Sequence, residues 1–175
     1  MKREAKFAWL AGIIDGEGHI SLNKRVPSQR TKFPRPHIYI GNTDGRMIRA
    51  ISEVYSEITN LKWYYTYHRR NNPNHNDMVM IMVLGLRNVR NLLQAVIPFL
   101  NNKKEQAELV LEYCNWRIGA LENAKSRNDF SDGLDKALIY EENIKSMRKN
   151  FPDISSISRK PSTIFQCPLS SQTNT

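Results

Sequence analysis

Cysteine is scarce in this chain, and that removes two classes of protein at once. Only Cys114 and Cys167 occur in 175 residues. They lie far apart with no metal-ligand spacing, so neither a disulfide framework nor a cysteine-built metal site is expected. They read as free thiols in a reducing, intracellular compartment: the cytoplasm of a prokaryote or an organelle, which the sequence does not distinguish. Long apolar runs are missing too. The run Phe7–Ile14 is eight residues and ends in carboxylates. It therefore suits neither a membrane span nor a signal peptide, despite Lys2 and Arg3 ahead of it, and no membrane partner is expected. Acids are the third shortage, and it is local. Residues 18–104 hold 14 Lys/Arg and only four acids, Asp44, Glu53, Glu57 and Asp77, a net +10, whereas residues 105–150 hold seven Lys/Arg and nine acids, a net −2. The whole chain carries +9. A basic segment followed by a near-neutral one suggests a polyanion-binding face built from the first part and a supporting layer built from the second. The length suffices for one domain with a real core, expected over residues 1–150, with a Ser/Thr/Pro-rich tail over 151–175.

The stretch Trp9-Leu10-Ala11-Gly12-Ile13-Ile14-Asp15-Gly16-Glu17-Gly18 organises the rest. At about 100° per residue, a helix over roughly 5–14 places Ala8, Ala11 and Gly12 on one narrow stripe that ends at Asp15. Phe7, Trp9, Leu10, Ile13 and Ile14 cover the opposite side. The bulky face suits the chain's own core. The small face would let a second backbone approach closely, most simply the same helix of a second copy. Gly16 and Gly18 are expected to break the helix. Asp15 and Glu17 sit at the wrong helix end for negative charge, at a cost of roughly 0.3–1 kcal/mol each. They call for a compensating partner, and a divalent metal would serve.

Past Gly18 the apolar period shifts from 3.6 to 2. Ile20, Leu22 and Val26 alternate with polar residues, a half-buried strand broken at Pro27. Residues 28–33 read as a loop carrying Arg30 and Lys32. Arg35, His37 and Tyr39 alternate with Pro36, Ile38 and Ile40 in a second strand. The polar face of this hairpin shows Ser21, Asn23, Arg25, Arg35, His37 and Tyr39 with no acid among them, which suits base edges and phosphates better than plain solvent. Asn42-Thr43-Asp44 looks like a helix cap, and the helix runs to about Ile58. Trp63–His68 is a strand, residues 69–76 a turn, and Met78–Leu84 an apolar returning strand whose Met78, Met80 and Met82 are taken as core. Helices follow over about 87–100, 104–119 and 131–149.

The stretch from Leu10 to Gly18 resembles the LAGLIDADG motif of the homing endonucleases, with Glu17 in place of the second Asp. There is one such motif in the chain, and helix–strand–strand–helix–strand–strand–helix resembles the α+β, αββαββα core of single-motif members, which work as homodimers. The likeness covers roughly residues 5–120, with additional C-terminal helices beyond it. It implies that Glu17 is the metal-binding catalytic acid, with the Gly16 carbonyl as a further ligand. Asp15 matches the first Asp of the motif and is mainly structural, with metal contact as its alternative role. The matching positions for a water-orienting residue, a basic residue on the next helix and a lysine after the third helix are Asn42, Arg46 and Lys103, with Lys104 as the alternative one residue on. The implied cofactor is Mg²⁺. Mn²⁺ would substitute, and Ca²⁺ would bind without supporting cleavage. The implied activity is site-specific, metal-assisted hydrolysis of double-stranded DNA: a staggered break in a long pseudo-palindromic target, in a protein encoded by an intron. Of the third strand, either Tyr64, Thr66 and His68 or Trp63, Tyr65 and Tyr67 face DNA. The first, more polar set is preferred, with Arg70 in the turn that follows. Two other readings compete: an RNA-binding maturase that assists splicing of intron RNA, and a DNA-binding regulator that has lost cleavage.

Overall fold

A computed structural model describes residues 2–23, 33–69, 77–123 and 133–149. Its elements are α1 (Arg3–Glu17), β1 (Gly18–Asn23), β2 (Arg35–Asn42), α2 (Gly45–Ser56), β3 (Tyr64–His68), β4 (Met78–Leu84), α3 (Leu86–Val96), a 3₁₀ turn (Ile97–Phe99), α4 (Lys104–Asn123) and α5 (Leu134–Lys149). The α+β order αββαββα with additional helices is thus the one the hydrophobic periodicity predicts. The tail 151–175 lies outside the described residues, as do Arg25, Arg30, Lys32 and Arg70. Among the described residues no helix is long and apolar enough to cross a membrane.

The four strands form one antiparallel sheet in the order β1-β2-β4-β3. Its register fixes the two faces. Ile20, Leu22, Ile38, Ile40, Ile81 and Val83 point to the helical layer and are buried, together with Leu10 and Ile14 of α1, Ile51 of α2 and Leu92, Leu93 and Val96 of α3. On the other side, His19 pairs with Tyr39, Tyr39 with Met82 and Met82 with Tyr64, so one row crosses all four strands. A second row runs Gly41–Met80–Thr66, and His68 pairs with Met78.

Two sequence-level expectations are corrected here. Met78, Met80 and Met82 do not enter the core. Val79, Ile81 and Val83 take the helix-facing positions of β4, and period-2 alternation sends the three methionines to the opposite face, where they are half-buried. Gly16 does not break α1, which runs through it to Glu17. The chain turns into β1 at Gly18, where a Cβ would lie 2.7 Å from the Cα and carbonyl oxygen of Ile14. Only glycine allows that approach of strand to helix.

The C-terminal helices are fastened by aromatic contacts. The Tyr113 hydroxyl donates to the Pro34 carbonyl at 2.8 Å, and the Arg117 guanidinium lies 3.6 Å from the centre of the Phe33 ring. Trp116 stacks on Tyr140 of α5 at 6.0 Å. Cys114 is a free thiol in this layer, and burial pushes its pKa up to about 12. Such a thiol is inert.

Candidate nuclease centre and nucleic-acid face

The C-terminal end of α1 meets the turn that leads into α4. Asp15 accepts from the backbone N–H of Asn101 at 2.8 Å and of Lys103 at 2.9 Å. In return, the Lys103 ammonium donates to the carbonyl oxygens of Ile14 and Asp15, both at 2.7 Å. Two carbonyls of the last turn, of which that of Ile14 also accepts from the Gly18 N–H, thereby gain a cation at the negative end of the dipole. The compensation expected from a metal is, for Asp15, supplied by the chain itself. The reciprocal pair locks α1 to α4 and fixes where Lys103 stands. Burial lowers the Lys103 pKa, opposed by the charges of Asp15 and Glu17. Lys104, the alternative, is exposed on the first turn of α4.

Glu17 differs in kind from Asp15. It is exposed, and among the described residues its carboxylate makes no hydrogen bond or ion pair. The Gly16 carbonyl likewise meets no donor among them. Gly18 pairs with Ile40, so the end of α1 lies beside the end of β2, where Asn42 closes the strand. Asn42 Oδ1 accepts from the Asp44 N–H at 2.8 Å, which holds its side chain in place. Asp44, rather than Asn42, caps α2, accepting from the Arg46 N–H at 2.9 Å. Arg46 is brought to this region but turned to its neighbour: its guanidinium grips the Asp44 carboxylate through Nε at 3.1 Å and Nη2 at 2.9 Å. That contact holds the Asp44 pKa below its usual value. Glu17, Asn42 and Lys103 therefore gather at one end of the sheet, with Arg46 at its margin.

Among the described residues no three His, Cys, Asp or Glu side chains converge on one point. A hard cation that keeps several waters and uses substrate phosphates needs only one or two protein carboxylates. The uncommitted Glu17 carboxylate beside an unpartnered Gly16 carbonyl offers oxygen donors of that kind. Asp15 has both oxygens engaged by the 101–103 turn.

The open face of the sheet carries most of the expected reading residues that the structure describes. Asn23, Arg35, Thr66 and His68 are exposed on it, as is Tyr64, while Tyr39 is half-buried. The register places Tyr64, Thr66 and His68 there and sends Tyr65 and Tyr67 to the other side, where Tyr67 bonds Asp77. Ser21 and His37 depart from the expectation of a presented face, being 3% and 4% exposed. The His37 ring is stacked beside His19 and Tyr39, and the Ser21 hydroxyl donates to the Leu22 carbonyl at 3.3 Å. His19, absent from the expected set, stacks on Tyr39 with ring centres 4.4 Å apart. No acid stands on this face among the described residues.

No protein-family model matches the chain, and no curated protein sequence matches it. Solved structures do. The archaeal intron-encoded homing endonuclease I-Vdi141I, complexed with DNA, superposes with a TM-score of 0.61 at 17% identity over 83% of this chain and 86% of its own. The homing endonuclease I-CvuI, in complex with the I-CreI target in 2 mM Mg with the DNA not cleaved, gives 0.59 at 23% identity over 83% of each chain. The LAGLIDADG homing endonuclease I-GzeII, in complex with its DNA target, gives 0.57 at 17% identity over 85% of this chain and 49% of that one.

The fold is that of the LAGLIDADG homing endonucleases. In α1 the outward stripe is Ala5, Ala8, Gly12 and Gly16, all exposed, and a Cβ at either glycine would meet nothing within 4 Å. Ala11 does not belong to the stripe. It packs in the chain's own core with Phe7, Leu10 and Ile14. His19 and the methionines were the residues that sequence reasoning left out. The signal for the methionines was present: in Met-Val-Met-Ile-Met-Val the β-branched residues mark one face and the methionines the other.

Proposed function

We infer that this chain is a site-specific, metal-dependent DNA endonuclease of the LAGLIDADG homing class, acting as a homodimer. The observation that carries the reading is the gathering of an uncommitted Glu17, a fixed Lys103 and Asn42 at one end of an acid-free sheet face. The fold it shares with I-Vdi141I and I-CvuI, each described with DNA, supports it. So does the near match from Leu10 to Gly18.

Duplex DNA lies along the open face in this reading, held by Asn23, Arg35, Tyr39, Tyr64, Thr66 and His68, with Arg25, Arg30, Lys32 and Arg70 adding charge from outside the described residues. Ser21 and His37, both buried, are left out of this contact set. Glu17 and the Gly16 carbonyl would hold Mg²⁺. When bound, the ion neutralises charge that builds on the scissile phosphate. Lys103 keeps its ammonium at the end of α1, where it adds positive charge near the phosphate and the leaving oxygen. Asn42, with its carbonyl oxygen already engaged, has an amide group left to orient water. Arg46 binds a neighbouring phosphate once DNA competes with Asp44. Asp15 is a positioning residue, since it acts on Lys103 through the turn. Two copies packed through Ala8 and Gly12 would bring two such ends together, one for each strand. That arrangement predicts a staggered break and a pseudo-palindromic target. Encoding by an intron is part of this reading and rests on the resemblance to the homing class alone.

The test is incubation of the protein with a randomised duplex library, with Mg²⁺ and with chelator, followed by sequencing of the cut ends. Metal-dependent ends that share a long, near-symmetric motif and a fixed stagger are the expected result. Retention of DNA or intron RNA with no cut ends would overturn the nuclease reading in favour of a regulator or maturase.

A further inference from the structure

We propose that Met78, Met80 and Met82 form an apolar reading strip in the middle of the open face, and that it selects thymine by its C5-methyl group. The inference rests on the DNA-binding function proposed above and adds to it the kind of base chosen at the centre of the interface.

Strand β4 is interior to the sheet, between β2 and β3. Its open side is a line of thioethers spaced about 7 Å apart by the strand rise. On one flank Met82 faces Tyr39 and Met80 faces Gly41; on the other, Met82 faces Tyr64, Met80 faces Thr66 and Met78 faces His68. Hydrogen-bonding side chains thus border an apolar strip on both sides. All three methionines keep part of their surface exposed, which costs free energy unless something apolar covers them. Gly41 adds a specific feature. A Cβ there would lie 2.8 Å from the Met78 sulfur, so the Met78 side chain reaches across to Gly41 and uses the space that a side chain there would take. That space is one residue from Asn42, so the strip begins at the end of the sheet where Glu17 stands.

The occupant follows from the surroundings. The face has no acid among its described residues, carries Arg35 and two exposed amide or imidazole groups, and is continuous with the proposed DNA contact. In the major groove the one apolar feature of a base edge is the thymine methyl, and apolar side chains recognise it. Methionine is suited to that contact because its thioether is polarizable and its three rotatable bonds let it follow an irregular surface. A polar side chain at the same positions would read donors and acceptors instead. The strip therefore predicts thymines clustered near the cut site on each half of the target.

Deoxyuridine tests this without altering the protein, because it keeps every hydrogen-bonding group of thymine and lacks only the methyl. Duplexes selected by the wild-type protein are remade with single thymine-to-deoxyuridine exchanges, and affinity is measured at each position in Ca²⁺. Loss of about fourfold per critical methyl, equal to about 0.8 kcal/mol, at two or more positions near the cut site is expected. That loss should disappear in Met80→Ala and Met82→Ala, whose folding is checked by thermal melting. Selective DNA binding with no deoxyuridine effect at any position overturns the methyl-reading strip and leaves the DNA reading standing. Failure of the wild-type protein to select any duplex overturns the DNA reading, and the strip with it.

Discussion

On β4, Val79, Ile81 and Val83 face the helices, while Met78, Met80 and Met82 face away. On β2, Ile38 and Ile40 face the helices and His37 and Tyr39 face away. The same few residues of backbone thus serve two chemistries. The helix-facing set is branched and stiff, fully buried except for the half-buried Val79, and it decides the fold. The open set is aromatic, polar or flexible, and it decides what the sheet touches. A change on one side should therefore be felt in stability and a change on the other in recognition.

Truncation of the enclosed side is the hardest test of that division. Ile81→Ala removes a fully buried side chain and should cost about 2–5 kcal/mol of folding stability, read as a fall in the midpoint of denaturant unfolding. A cost below about 1 kcal/mol would mean the layer is not close-packed. Asp15→Asn comes next. It keeps the shape but loses a charged acceptor for two backbone N–H groups, and about 1–3 kcal/mol is expected. Cutting should fall with it, because Lys103 is no longer fixed. Unchanged cutting would detach Lys103 from the mechanism. On the open side, Met82→Ala should cost under about 1 kcal/mol, since that side chain is only half-buried. A larger loss would show that the strip is packed against something after all. Gly12→Leu should have the least effect on folding of a single chain, because nothing stands within 4 Å of the new Cβ, yet it should reduce the mass in solution from dimer to monomer. An unchanged mass would separate the small-residue stripe from assembly.

What the sequence made legible follows the same division. The order of helices and strands along the chain came through because burial imposes periodicity, and Ile20, Leu22, Ile38 and Ile40 are buried where the alternation of β1 and β2 puts them. Lys103 rather than Lys104 reaches the end of α1, a position taken from the family likeness and not from periodicity. The methionines of β4 were misplaced because a strand with apolar residues on both sides has no alternation in hydrophobicity. Only the branching of the side chains tells the faces apart. Ala11 was misplaced because an alanine fits either side of a helix, and a roll of one position decides between core and surface. The partner of Asp15 was invisible. It is a pair of backbone N–H groups 86 and 88 residues away, and backbone groups carry no sequence signature. Asp15 and Glu17 look equivalent as letters, and only the fold shows that one is engaged and the other free.

That distinction supports the most direct test of the account. On a target recovered from the randomised library, wild-type protein and Glu17→Gln are compared for binding in Ca²⁺ and for cutting in Mg²⁺. The account predicts equal binding, equal melting temperature and loss of cutting by at least about a hundredfold, the scale of several kcal/mol of transition-state stabilisation. Cutting by Glu17→Gln at near the wild-type rate would contradict it, since the free carboxylate at the end of α1 would then have no part in the chemistry.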